Sequence, residues 1–173
     1  MNYDLLLELV RRAQAGEKGA FEEIYRETYN RIYFYSFKMF GNEHDACDVV
    51  QEVFVKVFTR LDQLKEPEAF MSWMYSITVN ECRNKVRRDS KEILVEESQE
   101  FFENLLLSDD DPATELQQRD IKSYMMRVID LLPEEQKRVI LLYFYEKLTL
   151  AQIAEIEATS IGTIKSRLYL AKK

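Results

Sequence analysis

The sequence predicts an all-α protein of two small helical domains joined by an acidic linker, and three observations carry that expectation. Glycine and proline are scarce, at 4 and 3 of 173 residues, which leaves too few turns for a sheet fold. Apolar residues recur at helical spacing along most of the chain, and no stretch of useful length alternates with a period of two. The charge is unevenly placed. The formal net charge is −7, yet residues 89–120 hold 11 acidic and 2 basic groups, which leaves both flanking blocks near neutral. The domains are therefore expected at 1–88 and 112–173, with the linker over 89–111.

Four helices are predicted in the first block, at about 3–15, 19–40, 43–64 and 67–88, with Asn42 and Pro67 as natural boundaries. In the 43–64 helix, Val49, Val50, Val53, Phe54, Val57, Phe58, Leu61 and Leu64 fall within half the circumference. Asp48, Gln51, Glu52 and Thr59 share the other half with a stranded Val55. That face reads either as solvated or as a docking surface for a basic partner. The 67–88 helix is apolar over most of its surface, through Phe70, Met71, Trp73, Met74, Tyr75, Ile77, Val79 and Val86. Its remaining stripe is Ser72, Ser76, Asn80, Arg83 and Arg87, with Asn84 alongside. Small residues, amides and guanidiniums in that order suit an unpaired base read on its edge. They also fit a buried helix with one wet stripe and a basic C-terminal end.

The segment from Asp89 to Asp111 has no sustained helical period and ends in an acidic run before Pro112. Beyond it, helices are expected at about 113–131, 133–146, 149–157 and 160–172. Pro133 suits a first helical position. Val139, Ile140, Leu142, Tyr143 and Phe144 are the core on which the last two helices pack.

Those last two helices read as a helix-turn-helix. Thr149 can cap a first helix with Leu150, Ile153, Ala154 and Ile156 inside, and Ser160 can cap a second. Ile161, Ile164, Leu168 and Ala171 form one stripe of the second helix, opposite Thr163, Lys165, Ser166, Arg167 and Tyr169. A major groove admits such a helix. A plain helical hairpin shares the same pattern.

Several classes are excluded. No apolar run approaches the ~18 residues needed to cross a bilayer. The opening MNYDLLLELVRR is acidic where a leader would be basic, so a cytoplasmic protein without membrane insertion is expected. Cys47 and Cys82 are isolated, and the single His cannot complete a metal cluster with them. Reduced structural thiols, no metal and no cofactor are the expectation. Nor is there a nucleophile–base set or a glycine-rich phosphate loop, so no enzyme is expected.

Taken in order, the pieces resemble the extracytoplasmic-function (ECF) group of RNA polymerase sigma factors. DACDVVQEVFVKVF at 45–58 is similar to D-A-E-D-x-x-Q-E-x-F, and FMSWMYSITVNECRNKVRR at 70–88 to F-x-x-W-L-Y-x-I-A-x-N-x-x-x-D-x-x-R-R. LPEEQKRVILLYFYEKLTLAQIAE at 132–155 is close to L-P-x-x-x-R-x-V-x-x-L-x-Y-x-E-x-L-S-Y-x-E-I-A-E. The resemblance implies that Asp45, Asp48, Gln51, Glu52 and Val55 bind the β′ clamp of core RNA polymerase, and that the β flap of the same enzyme is a further partner. It implies that Ser76, Asn80, Arg83, Asn84 and Arg87 capture a flipped base of the melted −10 element. Ser160, Gly162, Thr163, Lys165, Ser166, Arg167 and Tyr169 would then read the duplex −35 element of promoter DNA. A cognate anti-sigma factor is implied as well. The linker would thread towards the polymerase active-site channel, and its acidity would discourage DNA binding by the free chain.

This sequence departs from the family at Cys47, where an acidic residue is usual, and at Asn84, where Asp is usual. The turn reads Glu157-Ala158-Thr159 in place of a glycine-bearing one, and Leu170 replaces a frequent Arg. The alternatives are a helix-turn-helix regulator that binds duplex DNA without polymerase, and an all-helical adaptor that binds only proteins.

Overall fold

The computed structural model describes residues 3–89 and 125–173, and every regular element among them is helical. The linker beyond residue 89, and the predicted 113–131 helix up to residue 124, lie outside the described residues. The N-terminal helices are α1 (Tyr3–Gln14), α2 (Lys18–Phe40), α3 (Glu43–Arg60) and α4 (Phe70–Asp89). Short 3-10 turns at Leu61–Gln63 and Pro67–Ala69 join α3 to α4. The C-terminal helices are α5 (125–130), α6 (Glu134–Ile140), α7 (Leu150–Ile156) and α8 (Ile161–Ala171), with a π-helical segment, Leu141–Tyr145, extending α6.

Boundaries follow local chemistry. Gly41 takes a left-handed φ of 74° and closes α2 by donating to the Phe37 carbonyl at 2.7 Å. The next residue, Asn42, caps α3 by accepting the Asp45 N–H at 2.9 Å. Pro133 stands one place before α6, at φ −52° and ψ 142°, rather than inside it. Thr149 and Gln152 form the reciprocal capping box of α7. Ser160 accepts the Thr163 N–H at 3.1 Å and starts α8.

The core runs through both halves. Leu6, Leu9 and Val10 of α1 pack on α2, whose stretch from Ile32 to Phe37 is buried all round because α1, α3, α4 and α6 surround it. Phe21, Tyr25, Tyr29, Tyr33 and Phe37 recur every four residues; Tyr25 meets Tyr29 at a tilt with ring centroids 5.2 Å apart, and Tyr29 stacks on Tyr33 at 5.9 Å. Ile164 and Leu168 of α8 are buried where that helix packs on α6 and α7, and Ile153, Ala154 and Ile156 of α7 are buried in a helix that packs on α8 and α4.

Four apolar expectations fail. Phe58 is 65% exposed at the rim of α3, where its ring meets Phe21 edge-on with centroids 4.9 Å apart. Phe144 is turned outward in the π-helical segment, where the Lys172 ammonium sits 5.1 Å over its ring. Ile161 is exposed at the first position of α8, and Val86 is exposed near the end of α4. Of the two thiols, Cys82 is buried and burial pushes it up to about 12, whereas Cys47 lies on the surface rather than in the core.

Candidate nucleic-acid interface

Three surfaces carry the residues singled out in the sequence. On α3, Gln51, Glu52 and Val55 are exposed together and aim away from the core. Asp45 is held closer. Its carboxylate accepts from Asn42 at 2.7 Å and pairs with Lys85 of α4 at 2.7 Å. Burial raises the Asp45 carboxyl, but the hydrogen bonds from Lys85 and Asn42 outweigh it and hold it below the usual range. Lys85 also reaches Asp48 at 3.1 Å. His44, Asp45 and Asp48 converge closely enough to ligate a cation, yet the Lys85 ammonium already occupies that role. Beside this face an aromatic groove of about 540 Å³ is lined by Phe21, Tyr25, Tyr29, Phe54, Val55 and Phe58. Sequence reasoning missed it, although the four-residue aromatic spacing of α2 was a readable signal.

Along α4, Ser76 is half-buried and Asn80 is exposed one turn later. Asn84 follows, donating to Glu81 at 3.4 Å and accepting from Arg87 at 3.2 Å. Glu81 is itself buried and paired with Lys56 at 2.6 Å, which fixes α3 against α4. Asn80 therefore stands on a rigid, largely buried helix with small and amide neighbours. Arg83 behaves otherwise: it leaves the stripe and donates to Glu157 at 2.8 Å.

The third surface is α8. Lys165, Ser166 and Tyr169 are exposed, with Ser166 donating to the Gly162 carbonyl at 3.1 Å. Thr163 is half-buried, its hydroxyl 3.0 Å from that of Ser160. Among the described residues a Cβ at Gly162 would meet only Ser160 Oγ, at an ordinary 3.5 Å, so none of them requires glycine there. Arg167 turns back to Glu135 at 2.5 Å and to Glu157 at 3.5 Å.

Glu157 thus gathers three guanidiniums, the third being that of Arg138 at 3.0 Å. Burial opposes the charge of Arg138, but Glu157 and Glu134 outweigh it, so its guanidinium is held above its ordinary pKa. The turn that carries Glu157 forms a Schellman motif. Thr159 N–H donates to Ala154 and Ala158 N–H to Glu155, with Ala158 left-handed at φ 51°.

The family models for Sigma-70 region 2 and Sigma-70 region 4 match residues 24–92 and 122–173. The chain is 30% identical over 171 residues to the ECF RNA polymerase sigma-E factor of Haemophilus influenzae, covering 95% of this chain and 90% of that one. It is 28% identical to the RNA polymerase sigma-H factor of Pseudomonas aeruginosa, over 96% of this chain and 89% of that one. In fold it resembles CnrH, solved in complex with the cytosolic domain of CnrY, with a TM-score of 0.67 at 18% identity over 97% and 92% of the two chains. It also resembles RpoE of Bartonella quintana, solved with the anti-sigma factor NepR, at a TM-score of 0.63 and 19% identity over 87% and 92%.

Proposed function

We infer, from the premise that this chain belongs to the ECF group of RNA polymerase sigma factors, that it binds core RNA polymerase and directs it to specific promoters. Residues 1–88 are the region 2 domain, 89–111 an acidic tether and 112–173 the region 4 domain. Asp48, Gln51, Glu52 and Val55 bind the β′ clamp, with Asp45 as their Lys85-anchored base and the aromatic groove as the apolar flank. The β flap meets the region 4 domain.

Asn80, with Ser76, Asn84 and Arg87 beside it, captures a flipped base of the −10 element. Extruding that base costs a few kcal/mol of stacking, which a preformed amide pocket on a rigid helix recovers. Ser160, Gly162, Thr163, Lys165, Ser166 and Tyr169 read the −35 duplex, and Arg83 and Arg167 join the two DNA faces once free of Glu157. The protein contributes recognition and melting, and bond formation belongs to the polymerase. It works in the cytoplasm, where core enzyme and promoters are. A cognate anti-sigma factor opposes it, as NepR accompanies the Bartonella quintana relative.

The single observation that carries this reading is an exposed Asn80 within the buried and half-buried stretch 70–85 of an aromatic helix, 80 residues upstream of a capped helix-turn-helix at Ser160. The test mixes the chain with core polymerase and scores specific run-off transcription from a −35/−10 promoter library. Specific transcripts support the reading. A DNA footprint by the chain alone, without core-dependent transcripts, supports the regulator alternative instead.

A further inference from the structure

Spacing alone assigns Ile161 to the buried stripe of α8, yet it is 45% exposed while Ile164 and Leu168 of that stripe are buried. It is the first residue of α8, directly after the Ser160 cap. The opening residues of a helix laid in a major groove are those that reach base edges. Gly162 comes next and has no side chain to hold a DNA strand away. Ile161, Lys165 and Tyr169 then follow one another at four-residue spacing, all exposed, along one ridge of the helix.

Polar groups on the same helix are partly committed to the chain itself. The Arg167 guanidinium pairs with Glu135 and Glu157, and the Ser166 hydroxyl donates to the Gly162 carbonyl. An isoleucine side chain has no donor or acceptor, so it tells base pairs apart only by apolar contact. In the major groove the one apolar group that a base pair offers is the 5-methyl of thymine. A β-branched side chain is also stiff at χ1 within a helix, so Ile161 presents its methyl groups in a fixed direction and loses little freedom on contact.

We propose that Ile161 is a specificity-determining residue of the duplex-reading helix: it seats the 5-methyl group of one thymine in the −35 element, and Lys165, one turn later, takes a guanine of a nearby pair. This rests on the sigma-factor reading and names the chemical group that its −35 surface recognises. Four residues advance a helix by about 6 Å, and each base pair advances the duplex by about 3.4 Å. The thymine and the guanine therefore lie within about two base pairs of each other.

The test uses holoenzyme assembled from the full chain and core polymerase, on a promoter chosen by run-off transcription. Each thymine of its −35 element, on either strand, is replaced in turn by deoxyuridine, which lacks only the 5-methyl group. One replacement should weaken duplex binding by the parent about three- to fivefold, the worth of burying one methyl group. In Ile161→Ala that thymine and its deoxyuridine should bind equally, while every other thymine keeps its parental ratio. Alanine at an exposed first helical position preserves the helix, and thermal unfolding followed by circular dichroism checks that it does. Lys165→Ala should keep the methyl effect and lose discrimination at a guanine within about two base pairs of it. An element without an A·T pair, or a parent indifferent to every replacement, overturns the contact. So does an Ile161→Ala variant that keeps the methyl effect, or a Lys165 effect farther away. Where no promoter is transcribed, a duplex selected by the chain alone takes its place, so a failed sigma reading is told apart from a failed methyl contact. A chain that selects no duplex by either route overturns both.

Discussion

Replacing Ala158 by Gly should stabilise the C-terminal domain, and the size of the effect can be worked from the turn. Ala158 sits at φ 51°, in the left-handed region, as the residue that closes the Schellman motif of α7. Its Cβ there costs roughly 1–2 kcal/mol against the following carbonyl. Glycine removes that cost but gains freedom in the unfolded chain, which returns about 0.4–1 kcal/mol to the unfolded side. Ala158 is exposed, so deleting its methyl forfeits little packing. The net expectation is stabilisation by about 0.5–1 kcal/mol, or a rise of roughly 1–4 °C in Tm for a protein of this size. Urea unfolding followed by circular dichroism should show a higher midpoint at an unchanged slope. Run-off transcription should be unaltered, because the turn keeps its hydrogen bonds. Lys147, at φ 58° and also exposed, is an independent site of the same kind, and Lys147→Gly should act in the same direction. If both variants are less stable than the parent, the strain assigned to these turns is absent and the argument fails.

The remaining predictions concern the proposed interfaces and their titration. Asn80→Ala should reduce open-complex formation, read by permanganate footprinting, while sparing duplex binding; equal loss of both would deny it the strand-capture role. Glu52→Lys should abolish assembly with core polymerase in a gel-filtration assay, and retained holoenzyme would remove that face as the docking surface. Lys165→Ala should weaken −35 duplex binding by about 1–3 kcal/mol if it meets a base, seen as a loss of discrimination at one position. The Asp45 carboxyl, held below its usual range by Lys85 and Asn42, contributes stability that is present above an unfolded pKa of about 3.9 and is lost as pH falls through the folded value. Glu146, which burial raises despite Arg31, has the opposite sign: its contribution is present below about 4.3 and is lost as pH rises through its folded pKa. Asp45→Asn should therefore flatten the acid limb of the stability curve, whereas Glu146→Gln should flatten the decline above it; identical curves for the parent and both variants would refute these assignments.

Much of the fold was legible because each helix carries its own instructions. Thr149 and Ser160 cap the helices they were expected to cap, and Asn42 stands at the boundary expected of it, as the cap of α3. The apolar stripes of α3 and α8 bury Val53, Val57, Ile164 and Leu168 as their spacing required. The stripe rule fails at rims, where a residue within the apolar half stays largely exposed, as Phe58 does. It also fails where the helical period itself changes. The π-helical turn at Leu141–Tyr145 rotates Phe144 out and brings Glu146 to Arg31, and nothing in the local spacing announces it. Exposure was legible where a lone residue stands out from its helix, as Asn80 and Val55 do. It was illegible where a charge finds a distant partner. Arg83 and Arg167 were read as facing DNA because a stripe analysis assigns every exposed-side cation to solvent. Glu157, 74 residues from Arg83, was noticed only as an unusual turn residue.

Those distant partners alter the electrostatic account of a DNA-binding protein with a net charge of −7. The salt dependence of DNA binding reports how many phosphates are neutralised by free cations. Arg83 and Arg167 face Glu157, Arg167 also faces Glu135, and Lys85 faces Asp45 and Asp48. Lys165 of α8 and Arg88 near the end of α4 stay exposed, so internal pairing removes part of the positive charge near the reading helices and leaves the rest. Each paired arginine adds to counterion release only once it leaves its carboxylate. The salt slope of DNA binding should therefore steepen when Glu157 is replaced by Gln, and an unchanged slope would show that these arginines do not meet phosphate.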